Sequence, residues 1–501
     1  MTAYSYRLIF TWDGVNPTEE TTRLISWSVD RGRDNPFVSI EAGKLVLTLD
    51  NRDGRFDPWN TSSPIYPDVT PGKGVSLAIG STTEELEECS MLFTGYIEDV
   101  IPSGRAGERT VQVVCYDAFR MNRDALVVGD EQISLTENKT LIGNVLGAYF
   151  DWLSGVWNKD VSTLVGSTSY FYPIGGVGLS CRAIIESELG YFFESSSGFF
   201  TGQGRDYNGW PWTLELDDSD LVDISVNQPW ENIVNRVYVT AHVPVLADDA
   251  SLVYSLAEPL FIRAGDVHTV YARYTDENGA ECNATDFEAM ISGTDYKANS
   301  SSDGLGTNLT ANLVMASQDC PGYTRFTLTN SGSTDFYVTL LQRYGKVITY
   351  NKVTVSREDA DSIEQYGGHE LSFDYPYCQS AATAMDYAYA IVSFWKDPQK
   401  TPVLRLRHKI EDLRGIIGYL DDPGTDYPIY DLVDLFQLVH LDSDSYSVDE
   451  YFLVGKIRMW SGDNLQDVWT ELKLEPYDNR RFWELGTTGY TELGDTTVLG
   501  F

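Results

Sequence analysis

Positive charge is scarce in this chain of 501 residues: 36 Lys and Arg stand against 74 Asp and Glu, a formal net charge of −38. At the level of the whole chain, that excludes the polycationic face a nucleic-acid binder needs, and it disfavours adsorption to an anionic membrane. Long apolar runs are also missing, since nothing approaches the roughly 18 consecutive apolar residues of a membrane helix. The opening MTAYSYRLIFTWDG has no basic segment followed by an apolar run, so no secretory signal is expected.

Histidine and cysteine are few. His242, His268, His369, His408 and His440 are dispersed, and no two fall in one motif. Cys89, Cys115, Cys181, Cys282, Cys320 and Cys378 are scattered without a CxxC. The expectation is no metal centre and no cofactor, with the thiols mostly reduced packing residues; a Cys282–Cys320 pair stays open. Nucleophile elbow, phosphate loop and dinucleotide fingerprint are all absent, and Gly202-Gln203-Gly204 lacks the third glycine. Trp210, Trp212 and Glu215 come nearest to a carboxylate in an aromatic cleft, but nothing fixes a second carboxylate. Asp50, Asp53 and Asp57 depart from calcium-loop spacing and read as a turn whose Asp side chains bond their own backbone. The sequons at Asn60, Asn138, Asn283, Asn299 and Asn308 read as chance. No catalytic residue is assigned.

What is abundant is strand and turn material: 31 Tyr, 21 Phe, 12 Trp and 42 Gly. Residues 1–125 read as successive strands, with Leu45, Leu47 and Leu49 on one face at period two and Asp53-Gly54 as a turn signal. Residues 126–225 read as an α+β module. Its helices are expected around Leu141–Leu153 and Leu179–Leu189, the second ended by Gly190, with a hairpin from YFFE and FFTG. A strand follows at Ile233–Val243. Residues 247–350, rich in Thr, Ser, Asn and Gly, read as an inserted β-sandwich because turn signals recur every 8–12 residues or so. A helix is expected at Gln379–Trp395, with Ala382, Met385, Ala388, Tyr389, Val392 and Trp395 as its buried stripe. Strands are expected at Val403–Ile410, Leu432–Leu441, Tyr451–Trp460 and Val468–Leu474. In the tail, Glu484-Leu485-Gly486 returns as Glu492-Leu493-Gly494.

The stretch from Leu47 to Val75 resembles a signature of tail-tip proteins of long-tailed bacteriophages and related prophages. Its matching residues are Asn51, Asp53, Gly54, Arg55, Phe56 and Pro58, then Ser63, Pro64, Tyr66, Pro67 and Gly74. Phe93-Thr94-Gly95-Tyr96-Ile97 and Cys115-Tyr116-Asp117 fit the expected sequel. Further matches follow in order along the chain. They are Asn232-Ile233-Val234-Asn235, then Thr294-Asp295-Tyr296 with Asp303-Gly304, and Leu328-Thr329-Asn330. After these come Asp361-Ser362-Ile363 with Tyr366-Gly367, and finally Leu485-Gly486 and Leu493-Gly494-Asp495-Thr496-Thr497. Gly368-His369 departs from the family's basic residue, and no peptidase or lysozyme domain is appended, which turns the resemblance away from wall degradation.

The resemblance implies a baseplate-hub-like protein, a homotrimer in which each chain supplies two related barrels and so matches a hexameric tail tube. The fold expected is mainly β with α+β portions. It comprises a first tube-like β-barrel at 1–125, the α+β module at 126–225, and a second tube-like barrel with the long helix from 226–246 plus 351–475. The sandwich at 247–350 is inserted in that second barrel, and 476–501 forms a C-terminal extension. The implied partners are two further copies, tail-tube and distal tail proteins, a tape-measure protein and a central fibre. The implied place is the virion tail tip, after synthesis in the host bacterial cytoplasm. DNA would pass transiently without adhering, because acidic walls repel phosphate; the alternative for the acidity is solubility alone. The sandwich would brace neighbouring tail proteins or touch cell-surface sugar. A receptor- or carbohydrate-binding tail protein and a cell-wall hydrolase are the competing functions.

Overall fold

The computed structural model describes residues 4–81, 90–105, 107–122, 134–137, 159–160, 167–170, 177–198, 200–204, 213–320, 322–409, 417–420, 429–462, 465, 467–477, 481–483 and 497–499. The expected helix around Leu141–Leu153 and the repeat at 484–494 lie outside these residues. The fold is mainly β with α+β portions, as expected.

The chain opens with β1 (Tyr4–Thr11), β2 (Leu24–Gly32), β3 (Glu41–Asp50), β4 (Gly74–Ser81), β5 (Ser90–Ser103) and β6 (Thr110–Tyr116). All neighbours are antiparallel, in the order β2-β3-β6-β5-β4-β1. The period-two reading holds on β3: Leu45, Leu47 and Leu49 are fully buried, while Lys44, Val46 and Thr48 are only partly so. Register shifts at Leu77/Ala78 and Ile97/Asp99 place one extra residue on a strand, which bends it around the core.

The α+β portion contributes α1 (Ala118–Asn122), α2 (Val177–Glu186), β7 (Tyr191–Glu194) and β8 (Phe200–Gln203). The expected hairpin is there, Tyr191 opposite Gln203. Helix α2 stops three residues before the expected Leu189, which adopts φ 58° at the turn, and the Gly190 amide returns to the Ile185 carbonyl at 3.0 Å. A Cβ on Gly190 would stand 2.5 Å from the Gln203 carbonyl, so the hairpin itself requires the glycine.

Next come β9 (Leu214–Asp217), β10 (Asp223–Asn227) and β11 (Arg236–Leu246), then β12 (Val267–Arg273), β13 (Leu313–Cys320), β14 (Tyr323–Asn330) and β15 (Phe336–Glu358). Strands β12, β14 and β13 form one sheet, while short strands at 251–255, 260–262, 283–285 and 296–299 pair onto β15. Ile262, Phe326, Leu328, Phe336, Val338 and Leu341, all fully buried, fill the space between. Strand β15 runs 23 residues without a break: its first part serves these strands, and its last part pairs with β11, from Ile348 opposite Leu246 to Glu358 opposite Arg236. The alternating pattern VITYNKVTVS has no glycine or proline to end a strand at 350.

Helix α3 (Ala360–Tyr366) leads to β16 (Glu370–Tyr375), parallel to β11, and α4 (Ala381–Trp395) packs on that sheet. The buried face of α4 is Ala384, Tyr387, Ala388, Ile391 and Val392, which corrects the expected stripe; Met385 and Tyr389 are exposed. Alanines at 384 and 388 let the helix axis come close to Val237, Val239 and Ala241, a position the bulkier Met385 and Tyr389 would not allow. Ser380 caps the helix, its hydroxyl accepting from the Ala382 amide at 3.2 Å and the Thr383 amide at 3.5 Å.

The last strands are β17 (Thr401–Lys409), β18 (Leu438–Ser443), β19 (Val448–Ser461) and β20 (Asp467–Pro476). Instead of one strand over Leu432–Leu441, a short strand ends at Leu432 and Phe436 turns with φ 56°, its ring stacked on Tyr191 at 4.0 Å. Strand β19 pairs with β2, Trp460 opposite Ser28 and Lys456 opposite Gly32. Early and late parts of the chain therefore share one thirteen-stranded sheet, with the path β10-β17-β20-β19-β2-β3-β6-β5-β4-β1 and, beyond β1, a two-residue strand at Thr18–Glu19, and one continuous core.

Candidate assembly site

The loop between β3 and β4 is organised by Asn51, which is fully buried. Its Nδ2 donates to Asp57 Oδ1 at 2.8 Å, and its Oδ1 accepts from the Phe56 amide at 2.9 Å. Asp57 also receives Arg109, and the Ser63 hydroxyl donates to the Arg55 carbonyl at 2.6 Å. Phe56 is driven into the core beside Trp12, ring centres 5.9 Å apart, with the Arg23 guanidinium 5.6 Å above it. Arg55 forks onto buried Glu20 at 2.9 and 2.6 Å, and Arg23 onto Asp53 at 2.9 and 2.7 Å. The Arg23 bond holds the Asp53 carboxyl below its usual range. Gly54 has φ 70°, and a Cβ there would meet Asp57 Oδ2 at 3.1 Å and Arg109 Nη1 at 3.2 Å. The three aspartates thus work differently from a calcium loop. Asp50 and Asp53 bond the amides two residues on, as expected, but their main partners are arginines. Trp59, Pro64, Tyr66 and Pro67 face outwards, Trp59 with 82% of its surface exposed, while Pro58 is half-buried.

A second network joins the Asn235 motif to the Ser362 motif. Asn235, fully buried, donates to the Ser362 hydroxyl at 3.1 Å and the Gly367 carbonyl at 2.8 Å, and accepts from the His369 amide at 2.8 Å. The Ser362 hydroxyl donates onward to the Lys396 carbonyl at 2.5 Å, tying α3 to the end of α4. Gly367 takes φ 83° to leave α3, and Trp230 packs edge-on against Tyr366 at 6.0 Å and His369 at 5.2 Å. In the inserted portion, Asn330 is buried in the same manner and donates to the Ile262 and Thr334 carbonyls at 3.2 and 2.9 Å. Asn51, Asp53, Gly54, Arg55, Phe56 and Ser63 thus belong to one structural network, and Ser362, Tyr366 and Gly367 to the other. The Leu493–Thr497 motif lies almost wholly outside the described residues.

A feature missed from the sequence is a buried charge cluster where β2, α1, β7 and the turn before β18 meet. Arg31 Nη1 pairs with Asp434 at 2.8 Å and Nη2 bonds the Glu194 carbonyl; the Ser196 amide donates to Asp434 at 2.8 Å. Glu194 accepts from the Phe119 amide at 3.0 Å, and Asp117 accepts from the Gly43 amide at 2.6 Å. Asp117 Oδ1 has no hydrogen-bond partner among the described residues. Burial pushes Asp117 up to about 6 and raises Glu194 as well, with the Asp117 charge adding to the rise at Glu194. The signal was Asp117 following an apolar strand, but its partners lie far off in sequence.

Trp210 and Trp212 lie outside the described residues. Glu215 is exposed and bonds His440 at 2.5 Å, with Asp449 on the other ring nitrogen at 2.8 Å. Cys282 carries a free thiol, so it makes no bond to Cys320. No group of His, Cys, Asp and Glu able to hold a metal occurs among the described residues. No described helix is long and apolar enough to cross a membrane.

No protein-family model matches the chain, and no curated protein matches it. Among solved structures it is similar to a tail protein from Neisseria meningitidis MC58, at 10% identity and TM-score 0.49, covering 94% of this chain and 96% of that one. It is similar to the 43 kDa tail protein of prophage MuSo2 from Shewanella oneidensis, at 10% identity and TM-score 0.47, covering 95% and 98%. A prophage tail protein, gp18, from Listeria monocytogenes EGD-e aligns at 6% identity and TM-score 0.42, covering 94% of each chain.

Proposed function

We propose that this chain is a structural phage tail protein, the hub at the tail tip, in which three copies form a ring that joins the hexameric tail tube to the distal tip. The observation that carries the reading is the β19–β2 pairing. It makes residues 4–116 and the 401–476 strands neighbours in one sheet; β10 stands at one end of that sheet's path, and at the other end β1 is covered only at Ile9 and Phe10, by the two-residue strand Thr18–Glu19. In this reading the first tube-like barrel is 1–125 and the second is 226–246 with 351–475. The β10 edge of one copy meets the β1 edge of the next, a head-to-tail contact that closes after three copies. The collinear motifs from Asn51 to Gly367 support the family, and their networks support a role in holding shape, with no bond broken and no cofactor. Tail-tube, tape-measure and fibre proteins would meet the two faces of the ring. DNA would pass through its centre without adhering, given 74 acidic residues against 36 basic ones. Mass measurement in solution, with imaging of the purified chain on tail tubes, tests this: a trimer with a central hole is expected, and a strict monomer that never caps tubes overturns it.

A second reading, sugar contact by the inserted sandwich, rests on one observation that the sequence did not suggest. Tyr271 and Tyr323 meet edge-on at 5.7 Å on the outer face of the three-stranded sheet, beside Arg325 and Thr327. Glycan-array binding lost in Tyr271→Ala would support it, and an array with no signal would remove it.

A further inference from the structure

Where the loop after β2, the end of α2, β16, α4 and the end of β20 converge, they line a half-open cavity of about 380 Å³. That lies within the roughly 300–1,000 Å³ of small-molecule sites. Phe37, Tyr191, Phe373, Phe394, Trp395 and Tyr477 are among its lining residues. Phe37 meets Trp395 edge-on at 4.8 Å, and Phe394 meets Trp395 edge-on at 5.0 Å, so the ring orientations are set by mutual packing.

Four ionisable side chains line the cavity besides the tyrosines: Arg33, Glu475, Asp374 and Glu186. Arg33 and Glu475 cancel one another through a two-pronged pair at 2.8 and 2.5 Å. Asp374 is held by His242 and by Lys352 Nζ at 3.0 Å. Glu186, at the end of α2, differs. Among the described residues its hydrogen bond is the one from the Ser39 hydroxyl, at 2.8 Å, and it has no ion pair. The nearby Arg182 is committed elsewhere, over the Phe119 ring at 4.4 Å and onto the Ile40 carbonyl. Burial raises the Glu186 pKa, with the Ser39 bond, Arg182 and Arg33 acting against that.

A carboxylate in the lining of an aromatic-rich cavity, with no ion pair of its own among the described residues, selects a positive guest. The ring faces attract a cation and the carboxylate neutralises it, whereas an anion meets Glu186 and a neutral guest leaves it desolvated. We propose that this cavity binds a small organic cation with an apolar body, its ammonium or guanidinium group at Glu186 and its body between Phe37, Phe394 and Trp395. The inference does not rest on the ring reading.

Calorimetric titration of the full chain at neutral pH with benzylammonium, benzyl alcohol and benzoate tests it. Binding by benzylammonium alone is expected, weakened about tenfold or more in Glu186→Gln. A measurement on the unaltered chain covers the case where that variant does not fold. Affinity should fall as pH is lowered through the raised Glu186 pKa, because the guest keeps its charge while the carboxylate loses its own. Equal binding of benzyl alcohol, no binding of benzylammonium, or an affinity unchanged by pH and by Glu186→Gln would each overturn the proposal.

Discussion

Asn235 Nδ2 and the Ser362 hydroxyl meet at 3.1 Å, across 127 residues of chain. Between them lies everything from β11 to the start of α3, including the whole inserted portion. The bond closes the neck of that insertion, and it is buried, so the polar groups it satisfies have no water to turn to.

Replacing Asn235 by Ala should therefore cost more than a typical surface change. It removes the partners of the Gly367 carbonyl and the His369 amide at once. Both bonds are only part-buried, so water can replace some of what is lost, and a loss of about 1–3 kcal/mol is expected. Denaturant unfolding of the two proteins measures it; a change under about 0.5 kcal/mol would show that the network holds nothing.

The Asn51 loop makes a graded prediction. Phe56→Ala leaves a void among fully buried residues and should cost about 3–5 kcal/mol. Gly54→Ala, at φ 70° with contacts from 3.1 Å, should cost less, about 1–2 kcal/mol. Trp59→Ala, at an exposed position, should leave monomer stability nearly unchanged. Thermal unfolding of the three variants checks the ranking.

Helix α4 offers a test of which face is inside. Ala388→Met adds volume where the helix meets β11 and should destabilise by about 1–3 kcal/mol. Met385→Gln, on the exposed side, should stay within about 0.5 kcal/mol of the parent. The reverse order would restore the stripe expected from the sequence.

The Asp117–Glu194 cluster makes stability depend on pH. Asp117 titrates at about 6 in the folded chain, above the usual carboxylate value, so the folded state binds the proton more tightly. Its contribution is complete below about pH 4 and is lost as pH rises towards 6, then stays constant. Asp117→Asn should flatten that part of the stability–pH curve, read by denaturant unfolding at stepped pH. An unchanged slope would place the titrating group elsewhere.

Local order in the sequence was enough to determine the alternating face of β3, the hairpin from Tyr191 to Gln203, the existence of α4 and the turn glycine at 54. Each depends on neighbours within a few residues, where side-chain period and backbone freedom act directly. The motif residues could be selected from the sequence, but their tasks could not, because Asn51 looks like any turn asparagine until Arg109 and Asp57 are brought beside it. Tertiary structure alone decided the β19–β2 joint, the rotated face of α4, the unbroken 23-residue β15, the buried carboxylates around Arg31 and the cavity at Glu186. Those features arise from groups hundreds of residues apart competing for the same dry space, and which of them win is set by packing and desolvation, which no local pattern records.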